Sequence, residues 1–165
     1  MSGQDHTGYN KDISICAMTE DDTGAVAAME ESIFTMPWKL KDFRELLDKP
    51  DRGCVVAKAG DVIVGCVVYH NIVGDVDITN VQVKEGYRGR GIGKRLMKAA
   101  MEKARATGGE RFTLEVRESN LTAISLYESL GFTLEGKRKN FYENPREDAV
   151  IMWKKTDLMK DTCKQ

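Results

Sequence analysis

The chain has 165 residues with a net charge of -1, 41% hydrophobic and 31% charged residues. That length suits one core of ordinary size, and the composition is neither that of a disordered chain nor that of a membrane span. A near-neutral molecule offers no overall field to gather nucleic acid, so any basic site must be local.

In chain order, "DISICAM" reads as a strand with Ile13 and Ile15 on one face. Thr19 followed by Glu20, Asp21 and Asp22 starts a helix with acids in its first turn, and Val26, Met29 and Ile33 form its stripe. Pro37 interrupts, and a second helix runs through Leu40, Phe43 and Leu47 until Lys49-Pro50 stops it. "GCVVAKAG" and "DVIVGCVVYHN" are strands joined by a hairpin at Gly60-Asp61, and "DVDITNVQVK" adds a third.

A third helix spans Ile92 to about Thr107 and ends at Gly108-Gly109. "RFTLEVR" alternates, with Phe112, Leu114 and Val116 on one face and Thr113, Glu115 and Arg117 on the other. "NLTAISLYESL" is a short helix capped by Asn120 and closed at Gly131, and a hairpin around Pro145 completes the chain. The order predicts an α/β (α+β) fold, a mixed and mostly antiparallel sheet of about seven strands flanked by about four helices. One domain is expected over 11–157, with flexible tails at 1–10 and 158–165.

The four cysteines, Cys16, Cys54, Cys66 and Cys163, have no zinc spacing, and no metal site or disulfide framework is expected. The first ten residues lack the apolar core of a signal peptide, which points to the cytoplasm.

"RGRGIGKR", Arg88 to Arg95, follows a strand and opens a helix. The first N–H groups of a helix have no internal partner, and glycines let an anion approach them, so the turn suits a diphosphate. A Walker loop fails, because Arg88 stands where its first glycine belongs and Arg95 where its Ser or Thr belongs. The dinucleotide fingerprint fails as well, since Gly89, Gly91 and Gly93 give G-x-G-x-G. Taken alone, the turn is also compatible with a plain solvated turn or, less well, with a basic face for RNA.

"VQVKEGYRGRGIGKRLM" resembles the acetyl-CoA motif of the GNAT superfamily of N-acetyltransferases, whose Arg/Gln-x-x-Gly-x-Gly/Ala signature is met by Arg88, Gly89, Arg90, Gly91, Ile92 and Gly93. "LEVRESNLTAISLYESLGF", "REDAVIMWK" and an early "MPW" resemble the branch that acetylates protein N-termini, the RimI-like ribosomal-protein alanine acetyltransferases. The similarity spans roughly residues 13 to 154. The usual Asp-Pro after the cofactor strand is Lys84-Glu85 here.

The resemblance implies acetyl-CoA as cosubstrate. It assigns Val81, Gln82 and Val83 to the pantetheine arm, Arg88 and the turn Gly89, Arg90, Gly91, Ile92, Gly93 and Lys94 to the pyrophosphate, and Asn120 with Tyr127 to the rest of the cofactor. It makes Glu115 the base and Tyr127 the acid of a direct transfer, with backbone N–H groups near Val83 facing the oxyanion. Each has a plainer reading: a solvated strand glutamate for Glu115, and a core tyrosine for Tyr127 on the stripe Ala123, Ile124, Leu130.

His6 and His70 are not expected to act as bases, nor Cys54 and Cys66 as nucleophiles. Phe34, Pro37 and Trp38, with Met36, and Tyr142, beside Phe141, would receive the first residues of the acceptor, or else belong to the core. The acceptor implied is a protein N-terminus, plausibly a ribosomal protein's. A polyamine, a drug or a lysine side chain, or a non-catalytic acyl-CoA- or RNA-binding module, are the alternatives. No DNA, no membrane, and a monomer or weak homodimer are expected.

Overall fold

The computed structural model describes residues 12–34 and 36–155. His6, Cys163 and both predicted tails lie outside these described residues.

The seven strands are β1 (Ile13–Ala17), β2 (Arg52–Ala59), β3 (Val62–Ile72), β4 (Asp75–Val83), β5 (Arg111–Arg117), β6 (Thr133–Tyr142) and β7 (Glu147–Lys155). The four helices are α1 (Thr23–Ile33), α2 (Leu40–Leu47), α3 (Ile92–Ala106) and α4 (Leu121–Ser129). The strands form one sheet in the order β1-β2-β3-β4-β5-β7-β6, in which β4 and β5 run parallel and β1/β2, β5/β7 and β6/β7 antiparallel. The predicted element order and the mixed sheet are observed, with two additional turns of 3-10 helix at Glu20–Asp22 and Glu85–Tyr87.

The chain divides into two compact units. Of the described residues, the first takes those from 12 to 68 and 80–100. Its core gathers Met18, Val26, Met29, Phe43, Leu46, Cys54, Val56, Ile63, Cys66 and Val68. The predicted start of α1 is displaced: Thr19 and Asp22 frame the 3-10 turn, with the Thr19 N–H donating to Asp22 Oδ2 at 2.9 Å, and the α-helix begins one residue later. Two predicted stripes also shift. Leu40, Leu47 and Ile33 are exposed, whereas Leu46 is buried beside Phe43, because a short helix can turn only about a third of its surface inward.

One buried residue of α1 was not expected. Glu30 is 2% exposed. Its Oε1 accepts from Asn80 Nδ2 at 2.9 Å and from the Trp38 backbone N–H at 3.4 Å, while Gln82 Nε2 donates to Oε2. Burial pushes the Glu30 carboxyl above its usual range, and the three donors pull it partly back.

Of the described residues, the second unit takes 69–79 and 101–155. Val76, Ile78, Phe112, Leu114, Val116, Tyr127, Leu130, Phe132, Ala149, Val150 and Met152 are buried in it. The predicted alternation of β5 is observed: Phe112, Leu114 and Val116 are buried, and Thr113, Glu115 and Arg117 half-buried. β3 and β4 join through Val73 (φ 53) and Gly74 (φ 90), two left-handed residues in succession as a tight hairpin turn requires. Asn71 braces this turn, its Oδ1 accepting from Gly74 N–H at 2.9 Å and its Nδ2 donating to Thr107 O at 3.0 Å.

Candidate active site

In the first unit the glycine turn has the shape predicted for it. Gly89 (φ 75) and Gly91 (φ 76) are both left-handed, a conformation that side-chain-bearing residues adopt only with strain. The first bond of α3 runs from Arg95 N–H to Gly91 O at 3.1 Å, so the N–H groups of Gly91, Ile92, Gly93 and Lys94 precede any intrahelical partner. Four aligned donors at a helix N-terminus fit an anionic diphosphate. The two arginines are folded down around the turn: Arg88 Nε donates to Val83 O at 2.9 Å, and the Arg90 guanidinium lies 5.3 Å from the Tyr87 ring centroid.

The strand feeding this turn is β4. Its parallel ladder with β5 runs from Asp75↔Arg111 to Ile78↔Leu114, and β4 continues to Val83. Lys84 N–H donates to Val64 O on β3 at 2.8 Å, so by strand alternation the backbone polar groups of Val83 and Val81 point away from β3. That is the orientation a pantetheine arm needs for strand-like pairing. The Gln82 side chain is committed to Glu30, and by the same alternation its backbone polar groups face β3. Gly65 makes room here, since a Cβ on it would lie 2.8 Å from Gln82 O and 3.0 Å from Leu96.

Phe34, Pro37 and Trp38 follow α1 in the same unit. Phe34 is exposed, as is the neighbouring Met36 at 89%, while Trp38 is half-buried with its ring 5.6 Å from Phe43. Trp38 thus packs in part against the core of this unit, and its backbone N–H is tethered to Glu30.

In the second unit the predicted base and the predicted acid each interact electrostatically with a third residue, Tyr142. Glu115 is half-buried on β5, and its Oε1 lies 3.1 Å from Arg138 Nε. Tyr142 is half-buried at the end of β6. Burial raises its phenol and the charge of Glu115 raises it further. Tyr127 on α4 is pushed up to about 12, chiefly by burial and then by the neighbouring Tyr142. Its ring packs against Phe132 at 6.1 Å, so the hydroxyl belongs to a tyrosine that is otherwise part of the core. Arg117 lies 4.5 Å over the Tyr142 ring and binds Glu147 at 3.3 Å.

Asn120 caps α4 as predicted, its Oδ1 accepting from Ala123 N–H at 3.2 Å. Two residues, one in each unit, were missed from sequence. Arg138 could have been noticed only as one of three successive cations, and Glu30 gave no signal at all.

Among the described residues, no three metal-ligating side chains cluster, and no helix is long and apolar enough to cross a membrane. A model of the acetyltransferase (GNAT) family matches residues 24–132. A Bacillus subtilis protein provisionally assigned as a ribosomal protein bS18-alanine N-acetyltransferase is 36% identical over 137 residues, covering 82% of this chain and 91% of its own. The N-alpha-acetyltransferase RimI of Mycobacterium tuberculosis is 32% identical over 152 residues, covering 88% and 94%. The crystal structure of the ribosomal-protein-S18-alanine N-acetyltransferase from Escherichia coli superimposes with a TM-score of 0.80 at 25% identity, covering 93% of this chain and 99% of that one. With the glycine turn, the strand that feeds it and these relatives in agreement, the chain belongs to the acetyltransferase (GNAT) family and is an acetyl-CoA-dependent N-acetyltransferase.

Proposed function

We propose that this enzyme acetylates the N-terminal α-amine of a protein, plausibly the alanine of a ribosomal protein of the S18 type, in the cytoplasm. The observation that carries this reading is that Tyr142 on β6 feels the charge of Glu115 on β5 and in turn raises Tyr127 on α4, in a chain whose relatives are named for that reaction. The backbones of Val81 and Val83 and the N–H groups of the turn from Gly89 to Lys94 hold acetyl-CoA, with Arg88 and Asn120 at its margins. Phe34, Pro37, Trp38 and Tyr142 receive the acceptor.

An α-amine, with a pKa near 8, needs far less help to lose its proton than a lysine near 10.4. Glu115 takes that proton as the amine attacks, directly or through water. Tyr127 donates its O–H to the departing sulfur. A phenol at about 12 facing a thiol near 8.5 makes complete transfer uphill by about 5 kcal/mol, so Tyr127 works by hydrogen-bonding the thiolate as the C–S bond breaks.

Tyr127→Phe is therefore expected to lower kcat by roughly 10- to 100-fold with cofactor affinity nearly intact. Because the Tyr127 phenol stays protonated to about pH 12, the wild-type rate should show no alkaline limb from it below about pH 11. Steady-state kinetics across pH check both points. The acceptor class is tested by comparing an N-terminal alanine peptide with the same peptide blocked at its α-amine but carrying lysine, and with spermidine. Acetylation confined to the free N-terminus supports the reading, and preference for lysine or spermidine overturns it.

A further inference from the structure

We propose that Arg138 is a positioning residue for Glu115, fixing the carboxylate from which the acceptor's proton is taken. The inference rests on the reading of Glu115 as base and goes beyond it, to a residue two strands away.

The placement of Arg138 depends on a slip in strand pairing. Leu134 lies opposite Met152, but Gly136 lies opposite Ile151, so Glu135 is an extra residue bulged out of β6. A one-residue slip exchanges the two faces of every residue beyond it. Without the bulge, Glu135 and Lys137 would stand opposite Ile151 and Ala149. With it, Gly136 and Arg138 take those positions. Since Ile151 pairs with Glu115 and Ala149 with Arg117, the Glu115 face of the sheet carries two rows, Glu115–Ile151–Gly136 and Arg117–Ala149–Arg138.

The small residues in these rows decide what can reach Glu115. Gly136 has no side chain, and Ala149 on the intervening strand is too short to block a guanidinium crossing above it. Arg138 thus spans β7 diagonally and sets Nε 3.1 Å from Glu115 Oε1, with its guanidinium 5.6 Å from the Phe141 ring centroid. The other arginine of this face is occupied elsewhere: Arg117 donates to Pro145 O at 3.0 Å, to Glu143 O at 3.1 Å and to Glu147. The ion pair ties the Glu115 carboxylate to one side, and this restraint on its orientation is the positioning role of Arg138.

The Arg138 side chain is 58% exposed and that of Glu115 26%, and ion pairs of this kind add little to stability. A kinetic loss on removing Arg138 would therefore report on the reaction rather than on folding.

The test is a cycle of Arg138→Met, Arg138→Lys, Glu115→Gln and the double variant Arg138→Met/Glu115→Gln, assayed with acetyl-CoA and an N-terminal alanine peptide. Arg138→Met is expected to lower kcat about 10-fold, with both KM values within about 2-fold and Tm within about 3 °C of wild type. Arg138→Lys should recover part of the loss, and Arg138→Met should do no further harm once Glu115 is glutamine.

Unchanged kcat in Arg138→Met, a raised acceptor KM with kcat intact, or an equal loss in the Glu115→Gln background would each overturn the positioning role. If Glu115→Gln itself keeps the wild-type rate, the base reading fails first and takes this inference with it. If Glu115→Gln loses rate while Arg138→Met does not, only the positioning role falls.

Discussion

Glu115→Gln is expected to lower kcat by about 10² to 10⁴, with acetyl-CoA binding and Tm close to wild type. The substitution is nearly isosteric, and Glu115 is half-buried with a largely exposed arginine as its ionic partner among the described residues, so little stability depends on its charge. What glutamine cannot do is accept a proton. The attacking amine must then lose its proton to solvent, and the share of the rate that a positioned base supplies is forfeited.

Binding should survive because the proposed cofactor contacts are β4 backbone groups and the N–H groups at the start of α3, not the Glu115 side chain. Isothermal titration with acetyl-CoA, beside steady-state kinetics on the peptide, separates the two effects. A rate near wild type would remove Glu115 from the base's role. Loss of acetyl-CoA binding would mean that the substitution had damaged the fold or the cofactor site, and would leave the rate loss with no claim on proton transfer.

The residues of this site differ in how far the sequence announces them, and the difference has a physical basis. Glu115 sits in a strand whose period-2 alternation is strict, so its face follows from its neighbours Leu114 and Val116. Gly89 and Gly91 are legible because left-handed backbone has few other tenants.

Arg138 is different. "LEGKRKNFY" contains three successive cations, and which of them faces Glu115 is decided by whether Glu135 pairs or bulges, a choice made by β7 rather than by the local sequence. Val73 is a case of local rules giving the wrong impression: a β-branched residue at φ 53 is a poor turn former, and the turn at Val73-Gly74 is held by Asn71 and the adjoining strands. The start of α1 and the inward face of α2 moved for a related reason, since tertiary packing chooses among apolar residues that periodicity leaves nearly equivalent.

Glu30 shows the limit most sharply. In "AMEESIF" two acids stand side by side, and nothing local says that the first is buried while Glu31 is exposed. Its partners Asn80 and Gln82 lie 50 and 52 residues away.

The largest stability effect is expected there. Glu30→Ala strands two buried donors, Asn80 Nδ2 and Gln82 Nε2, each costing about 1–3 kcal/mol when unsatisfied, and removes an acceptor from the half-buried Trp38 N–H. Part of this is offset because the carboxylate's own burial cost disappears with it, which leaves a net loss of about 3 kcal/mol or more.

Glu30→Gln should behave very differently. Its Oε1 can still accept from Asn80 and Trp38, and its new amide can donate to Gln82 once that side chain turns over. The acceptor is at hand, because Gln82 Oε1 is buried with no hydrogen-bond partner among the described residues.

The same geometry sets the pH dependence. The Glu30 carboxyl is raised above its ordinary 4.5 in the folded protein, so the folded state holds the proton more tightly than the unfolded chain does. Its contribution to stability is full below pH 4.5 and is lost as pH rises through the higher folded value. Glutamine has no proton to lose, so denaturant unfolding of Glu30→Gln between pH 4 and 8 should lack this decline and gain on wild type toward neutrality. A Glu30→Gln protein as unstable as Glu30→Ala at pH 7 would show that the site requires the charge itself, and that three neutral donors suffice to keep a carboxylate ionised in the core.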